Sequence, residues 1–135
     1  MRFGILNEED KHSILELINK VFEKSAVDID LASNNYKFVG IKDNELLAVS
    51  MLTYIIDPIK NLKKMHIDYF CVNENYRGKG IGRMLFDEIE KLAISEGIDV
   101  LELTSNPRRE SARRLYIDKG MILLDTNVFI KNIRQ

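Results

Sequence analysis

A chain of 135 residues, 45% apolar and 30% charged, has the size and composition of one folded domain with a real core, which excludes a disordered or collagen-like polymer. A net charge of −1 supplies no global attraction to nucleic acid or an anionic membrane, and the single cysteine, Cys71, rules out an intramolecular disulfide and fits a reducing, cytoplasmic setting. No apolar run approaches membrane-spanning length and the start, MRFGILNEEDKHS, lacks a secretory h-region, so neither a membrane span nor export is expected.

MRFGIL reads as a first strand, and Asn7 followed by Glu8, Glu9 and Asp10 supplies a helix N-cap with an acidic first turn. Ile14, Leu17, Ile18 and Val21 then recur at helical spacing and form one buried stripe. From Ser25 to Asn35 the periodicity is lost and Ser, Asp and Asn accumulate, which reads as a loop or a poorly formed short helix. YKFVGI alternates as a strand, KDNE is turn chemistry, and LLAVSMLTYII returns as a longer strand that Asp57 and Pro58 stop. NLKK offers another turn and MHIDYFCV the next strand. Three strands in succession joined by short turns imply an antiparallel meander.

Beyond a glycine-rich turn, Ile81, Met84, Leu85, Ile89, Leu92 and Ala93 share a helical face, and Gly97 sits where a C-cap belongs. DVLELTS is a strand reached through that helix and therefore lies parallel to its predecessor through a right-handed crossover. Pro107 suits the start of a further helix, with Ala112, Leu115 and Tyr116 on one face and Gly120 at its end. MILLDTNVFIKNI closes the chain as a strand, bent near Asp125 to Asn127. The expected order is β-α-β-β-β-α-β-α-β, a mixed α/β architecture in a single domain over residues 1–135.

The turn RGKGIG, Arg77 to Gly82, joins a strand to a helix with glycines at 78, 80 and 82. Glycines let backbone N–H groups approach a phosphate, and a helix start adds its positive dipole end, so the junction reads as an anion cradle. A Walker loop is excluded, because no Ser or Thr follows a Gly-Lys pair. A dinucleotide fingerprint needs G-x-G-x-x-G in a parallel unit, whereas the spacing here is G-x-G-x-G after an antiparallel meander. Glu102 does stand about where a ribose-binding acid belongs, so that reading is kept as an alternative.

The pattern R-x-x-G-x-G is met by Arg77, Gly80 and Gly82, and a second pattern follows in ARRLYIDKGM through Ala112, Leu115, Tyr116 and Gly120. In order and element context the two motifs resemble those of the GNAT superfamily of acyl-CoA-dependent N-acyltransferases, and the resemblance covers nearly the whole chain. It implies a GNAT-like fold, with a mixed antiparallel and parallel central sheet flanked by helices, and acetyl-CoA as acyl donor with no metal. It implies that backbone N–H groups around Gly78, Lys79, Gly80, Ile81 and Gly82, with Arg83 nearby, receive the CoA pyrophosphate. It implies too that Phe70, Cys71 and Val72 present backbone groups to the pantetheine arm, and that Tyr116 protonates the departing thiolate. Many relatives carry Asn where Arg109 stands; Asn106 is close by and is the substitute candidate.

A thioester is already activated, so what remains is to place a neutral amine and stabilise the oxyanion and leaving sulfur. Asp68 shares the face of Phe70 by strand alternation, with Tyr69 pointing the other way, which makes Asp68 the candidate base or holder of the acceptor amine. The expected activity is transfer of acetyl from acetyl-CoA to a primary amine of a small molecule or peptide by direct attack, the alternative being a non-catalytic acyl-CoA-binding or sensing module. Cys71 is expected to pack, His12 and His66 are too isolated for a metal site, and Arg108, Arg109, Arg113 and Arg114 read by default as a solvated helix face, the alternative being contact with the CoA 3′-phosphate or an acidic partner. The acceptor pocket is expected among the Ser25 to Asn35 loop, the Tyr54 to Asp57 strand end and the closing strand. That closing strand is too short for a full hairpin, so it is expected to pair with a second chain in a homodimer.

Overall fold

Alternating apolar residues in three consecutive segments pair as the antiparallel meander their spacing requires. In the computed structural model, which describes residues 1–134, β1 (Arg2–Ile5), β2 (Tyr36–Asp43), β3 (Glu45–Asp57), β4 (Leu62–Val72) and β5 (Val100–Glu102) form one sheet in the order β1-β2-β3-β4-β5. The first four strands are antiparallel neighbours, while β5 lies parallel to β4 with Glu102 opposite His66. The second hairpin turn falls earlier than NLKK. Asp57 Oδ1 accepts from the N–H groups of Ile59 and Lys60 at 3.0 and 3.1 Å, closing the turn over residues 58–61, so Leu62 to Lys64 already pair with Asp57 to Ile55.

Two helices cover opposite faces of this sheet. Asn7 accepts from the Glu9 N–H at 3.0 Å and Asp10 Oδ2 accepts from the Asn7 N–H at 2.9 Å, a capping box that closes one 3-10 turn ahead of α1 (Lys11–Phe22). The α1 stripe of Ile14, Leu17 and Ile18 is buried with Phe38 of β2, Val49 of β3 and Cys71 of β4. On the other face Val39, Ile41, Ala48, Leu52 and Met65 are wholly buried. There α2 (Ile81–Ser95) lays down Leu85, Phe86 and Ile89. Its C-cap, Glu96, accepts from the Tyr54 hydroxyl at 2.9 Å and pairs with the Lys37 ammonium at 3.4 Å, which puts Tyr54 on the α2 face. Each fully buried Ile, Leu or Phe contributes about 1.5–3 kcal/mol, so the two apolar layers carry most of the stability.

The chain divides into two compact units, Met1–Thr104, which holds everything above, and a second that begins at Ser105. In the second, Pro107 stands in a turn ahead of α3 (Glu110–Asp118), and Gly120 ends the helix at φ 89° with the Met121 N–H donating to the Tyr116 carbonyl at 3.0 Å. The predicted closing strand is corrected: residues 121–134 contain no strand. A strand forms only with a ladder partner, and here Ile122, Val128, Phe129, Ile130 and Ile133 stay between 77 and 93% exposed.

Candidate active site

The turn between β4 and α2 has the geometry its glycines imply. After a single 3-10 turn at Glu74–Tyr76, Gly78 and Gly80 take φ of 77° and 80°, the left-handed region that a side chain disfavours. A Cβ built on either meets no protein atom within 4 Å, so both glycines face open space. Gly80 is the N-cap of α2 and supplies no side-chain cap, leaving the first-turn N–H groups of Ile81, Gly82 and Arg83 without one. No acid occupies that turn, and Arg83 stands there against the helix dipole. The flanking cations are positioned: Arg77 Nε donates to the Val72 carbonyl at 3.2 Å, and the Lys79 ammonium lies 5.4 Å from the centre of the Tyr76 ring. Tyr76 in turn donates to the Glu45 carboxylate.

One strand back, β4 is bulged. Val49 faces Cys71 and Met51 faces Asp68, so β4 spends one residue more than β3 over the same stretch, and Tyr69 takes φ 47°. The bulge corrects the alternation argument. Asp68 is opposite Met51, and Tyr69 packs edge-on to Phe22 at 5.4 Å, so both lie on the α1 face while Phe70 turns to the other. Ser50, fully buried, donates its hydroxyl to the Asp68 carbonyl at 2.9 Å, and Asp68 Oδ1 accepts from the Tyr69 N–H at 2.9 Å. Ser50 was missed in sequence reasoning, though its signal is present: it is the one polar residue in the run Leu46–Leu52. Among the described residues β5 pairs with β4 over Lys64–His66, and β4 itself continues through Phe70 and Cys71 to Val72. His66 shares the Asp68 face, its Nδ1 3.6 Å from the Glu102 carboxylate.

Beside the bulge, between α1, the loop after it and the sheet, lies a cavity of about 440 Å³ lined by Ile14, Ile18, Ala26, Phe38, Met51 and Tyr69 among others. The Ser25 to Asn35 loop therefore borders a pocket as expected, while Tyr54 lies on the opposite face and does not. Asp68 and the segments Phe70–Val72 and Arg77–Arg83 all belong to the first unit. Tyr116 and Asn106 belong to the second, where Tyr116 is 8% exposed and Asn106 Oδ1 accepts from the Arg108 N–H at 2.9 Å.

A mixed sheet with a bulged fourth strand, a glycine turn and an uncapped helix start are the features of a GNAT-type fold. The chain belongs to the acetyltransferase (GNAT) family, whose model matches residues 6–121. No curated protein matches it significantly. Among solved structures it is similar to a ribosomal-protein-alanine N-acetyltransferase from Brucella melitensis biovar Abortus 2308, at 19% identity and TM-score 0.83 over 98% of this chain and 100% of that one. It is similar also to an aminoglycoside acetyltransferase from an uncultured soil metagenomic sample, at 16% identity and TM-score 0.83 over 99% of this chain and 96% of that one. A Trypanosoma brucei acetyltransferase matches at 18% identity and TM-score 0.81 over 97% of this chain and 99% of that one.

Proposed function

We propose that this protein is a single-domain, cytoplasmic N-acetyltransferase that moves the acetyl group of acetyl-CoA to a primary amine of a small molecule or peptide by direct attack. The observation that carries the proposal is the glycine turn: left-handed Gly78 and Gly80 open to solvent, ahead of a helix whose first turn lacks both a side-chain cap and an acid. An anion there meets aligned N–H donors and the dipole end. Membership of the family supports the donor.

In this reading the N–H groups from Gly78 to Arg83 hold the pyrophosphate, with Arg77 and Lys79 adding charge, and Asn106 contributes its amide. The β4 edge at Phe70, Cys71 and Val72 takes the pantetheine as an added strand. Asp68, exposed on the α1 face beside the bulge, accepts the proton of the incoming amine or holds it in place. Tyr116 gives its proton to the departing sulfur. We also assign a homodimer, supported by the exposed apolar run from Ile122 to Ile133, which a second chain would cover. The test is calorimetry with acetyl-CoA followed by thiol release over a panel of amines. Binding with turnover is expected; binding with no turnover on any amine would leave a sensor of acyl-CoA.

A further inference from the structure

We propose, on the strength of the acetyltransferase reading above, that the acceptor is an apolar primary amine carrying a carboxylate, with its apolar body in the cavity beside the β4 bulge and its anion at Lys24. The cavity floor is Phe38, Met51 and Tyr69, and its walls are Ile14 and Ile18 of α1 and Ile29 of the loop. Among the described residues no Asp or Glu lines it. Of the acids nearby in sequence, Asp28 is 2.9 Å from the Lys11 ammonium, Asp30 Oδ1 accepts from the Ala32 N–H at 2.9 Å, and Glu74 pairs with Lys20 at 2.5 Å, while Glu23 and Asp68 adjoin lining residues without themselves lining the cavity. Lys11 beside Asp28 also holds that carboxyl below its ordinary range, so it stays a committed anion.

A polycationic acceptor would leave its additional ammonium groups against hydrocarbon with no carboxylate to receive them, which is costly. An apolar body gains from the same wall. Lys24, at the rim, is the one charged residue of the lining, and its ammonium makes no ion pair among the described residues. A ligand with a carboxylate at that end satisfies it. The wall is held in place by the chain's own hydrogen bonds. Glu23 turns the chain at φ 53°, and the Asn19 side chain then clamps Ala26 from both sides, Nδ2 donating to its carbonyl at 2.9 Å and Oδ1 accepting from its N–H at 3.1 Å. The structural neighbour solved with sisomicin shares the fold at 16% identity, and the lining found here disfavours a ligand of that kind.

The test measures acetyl-CoA binding by calorimetry and kcat/KM by thiol release for two matched pairs, phenylalanine with phenylethylamine and ω-aminooctanoate with heptylamine, and for spermidine and sisomicin. The carboxylate-bearing member of at least one pair is expected to lead its partner by roughly tenfold, the scale of one charge-assisted contact, and to lead the polycations by more. Lys24→Gln is expected to erase the difference within the pair through KM, and Ala26→Trp, at an exposed position, to block turnover of both members while acetyl-CoA still binds. Failure to bind acetyl-CoA, or binding without turnover of any amine, overturns the acetyltransferase reading itself. Turnover confined to the polycations, or pairs whose members are equal and indifferent to Lys24→Gln, overturns the acceptor assignment alone. So does a preference for octanoyl-CoA over acetyl-CoA that Ala26→Trp abolishes, which would give the cavity to the acyl chain.

Discussion

Gly80 tests the cradle, because the structure separates what a side chain there costs the fold from what it costs the ligand. The residue sits at φ 80° and ψ 9°, and a Cβ meets no protein atom within 4 Å, so in the free protein the penalty is conformational and not steric. Left-handed backbone costs an ordinary residue about 1–2 kcal/mol, and a β-branched one more, against a domain stability of roughly 5–15 kcal/mol. Gly80→Val is therefore expected to fold, with a Tm lower by about 7 °C or more. The same Cβ projects into the space where a pyrophosphate would approach the helix start, and acetyl-CoA affinity is expected to fall by roughly 10²-fold or more, about 2.7 kcal/mol. Gly80→Asn sharpens the comparison, since Asn tolerates left-handed backbone and keeps the steric block with less strain. The assay is calorimetric titration with acetyl-CoA beside thermal unfolding of wild type and both variants. Wild-type affinity in a folded Gly80→Asn protein would refute the cradle and leave the glycine as a purely structural turn residue.

Tyr116→Phe keeps the buried ring and removes its proton, so acetyl-CoA affinity is expected to hold while turnover at saturating donor falls by roughly 10²-fold; equal turnover at every pH would leave Tyr116 a packing residue. Burial works to raise the Asp10 carboxyl, but the Asn7 N–H and the Lys42 ammonium at 2.9 Å outweigh it and hold the group below its ordinary value. Its contribution is thus complete above the unfolded pKa of about 3.9 and disappears as pH falls through the lower folded value. Asp10→Asn is expected to cost about 1–3 kcal/mol at neutral pH and nothing in strong acid, and a pH-independent gap in urea unfolding would refute the assignment. Light scattering at micromolar concentration is expected to give a dimer mass, and Phe129→Glu with Ile130→Lys, on side chains 93 and 86% exposed, to give a monomer; a monomeric wild type would count against the homodimer.

Elements whose signal is local were legible in the residues: Asn7 and Asp10 form the capping box, Gly97 and Gly120 turn the chain at helix ends, and Gly78 and Gly80 take the left-handed backbone only glycine adopts freely. What depends on a partner was not. Face assignment along β4 was counted by alternation, and alternation holds only while a ladder is unbroken; the extra residue at the bulge reverses the count for Asp68. Nothing in Tyr69 advertises φ 47°, since left-handed bulge positions usually declare themselves by Gly or Asn. The compensating residue stood on the neighbouring strand, where Ser50, buried among apolar neighbours, takes the Asp68 carbonyl that the bulge leaves to be satisfied. The loop was legible as a pocket border but the shape of its wall was not, because that wall depends on Asn19 holding Ala26 seven residues away. MILLDTNVFIKNI carries this furthest. Its β-branched and aromatic residues state a preference for strand, but preference does not supply a ladder, and without one the segment exposes the side chains that made it look like a strand. A chain that keeps so much apolar surface in water gains by any contact that covers it, so the feature misread as an element of the fold is the one most informative about what the protein meets.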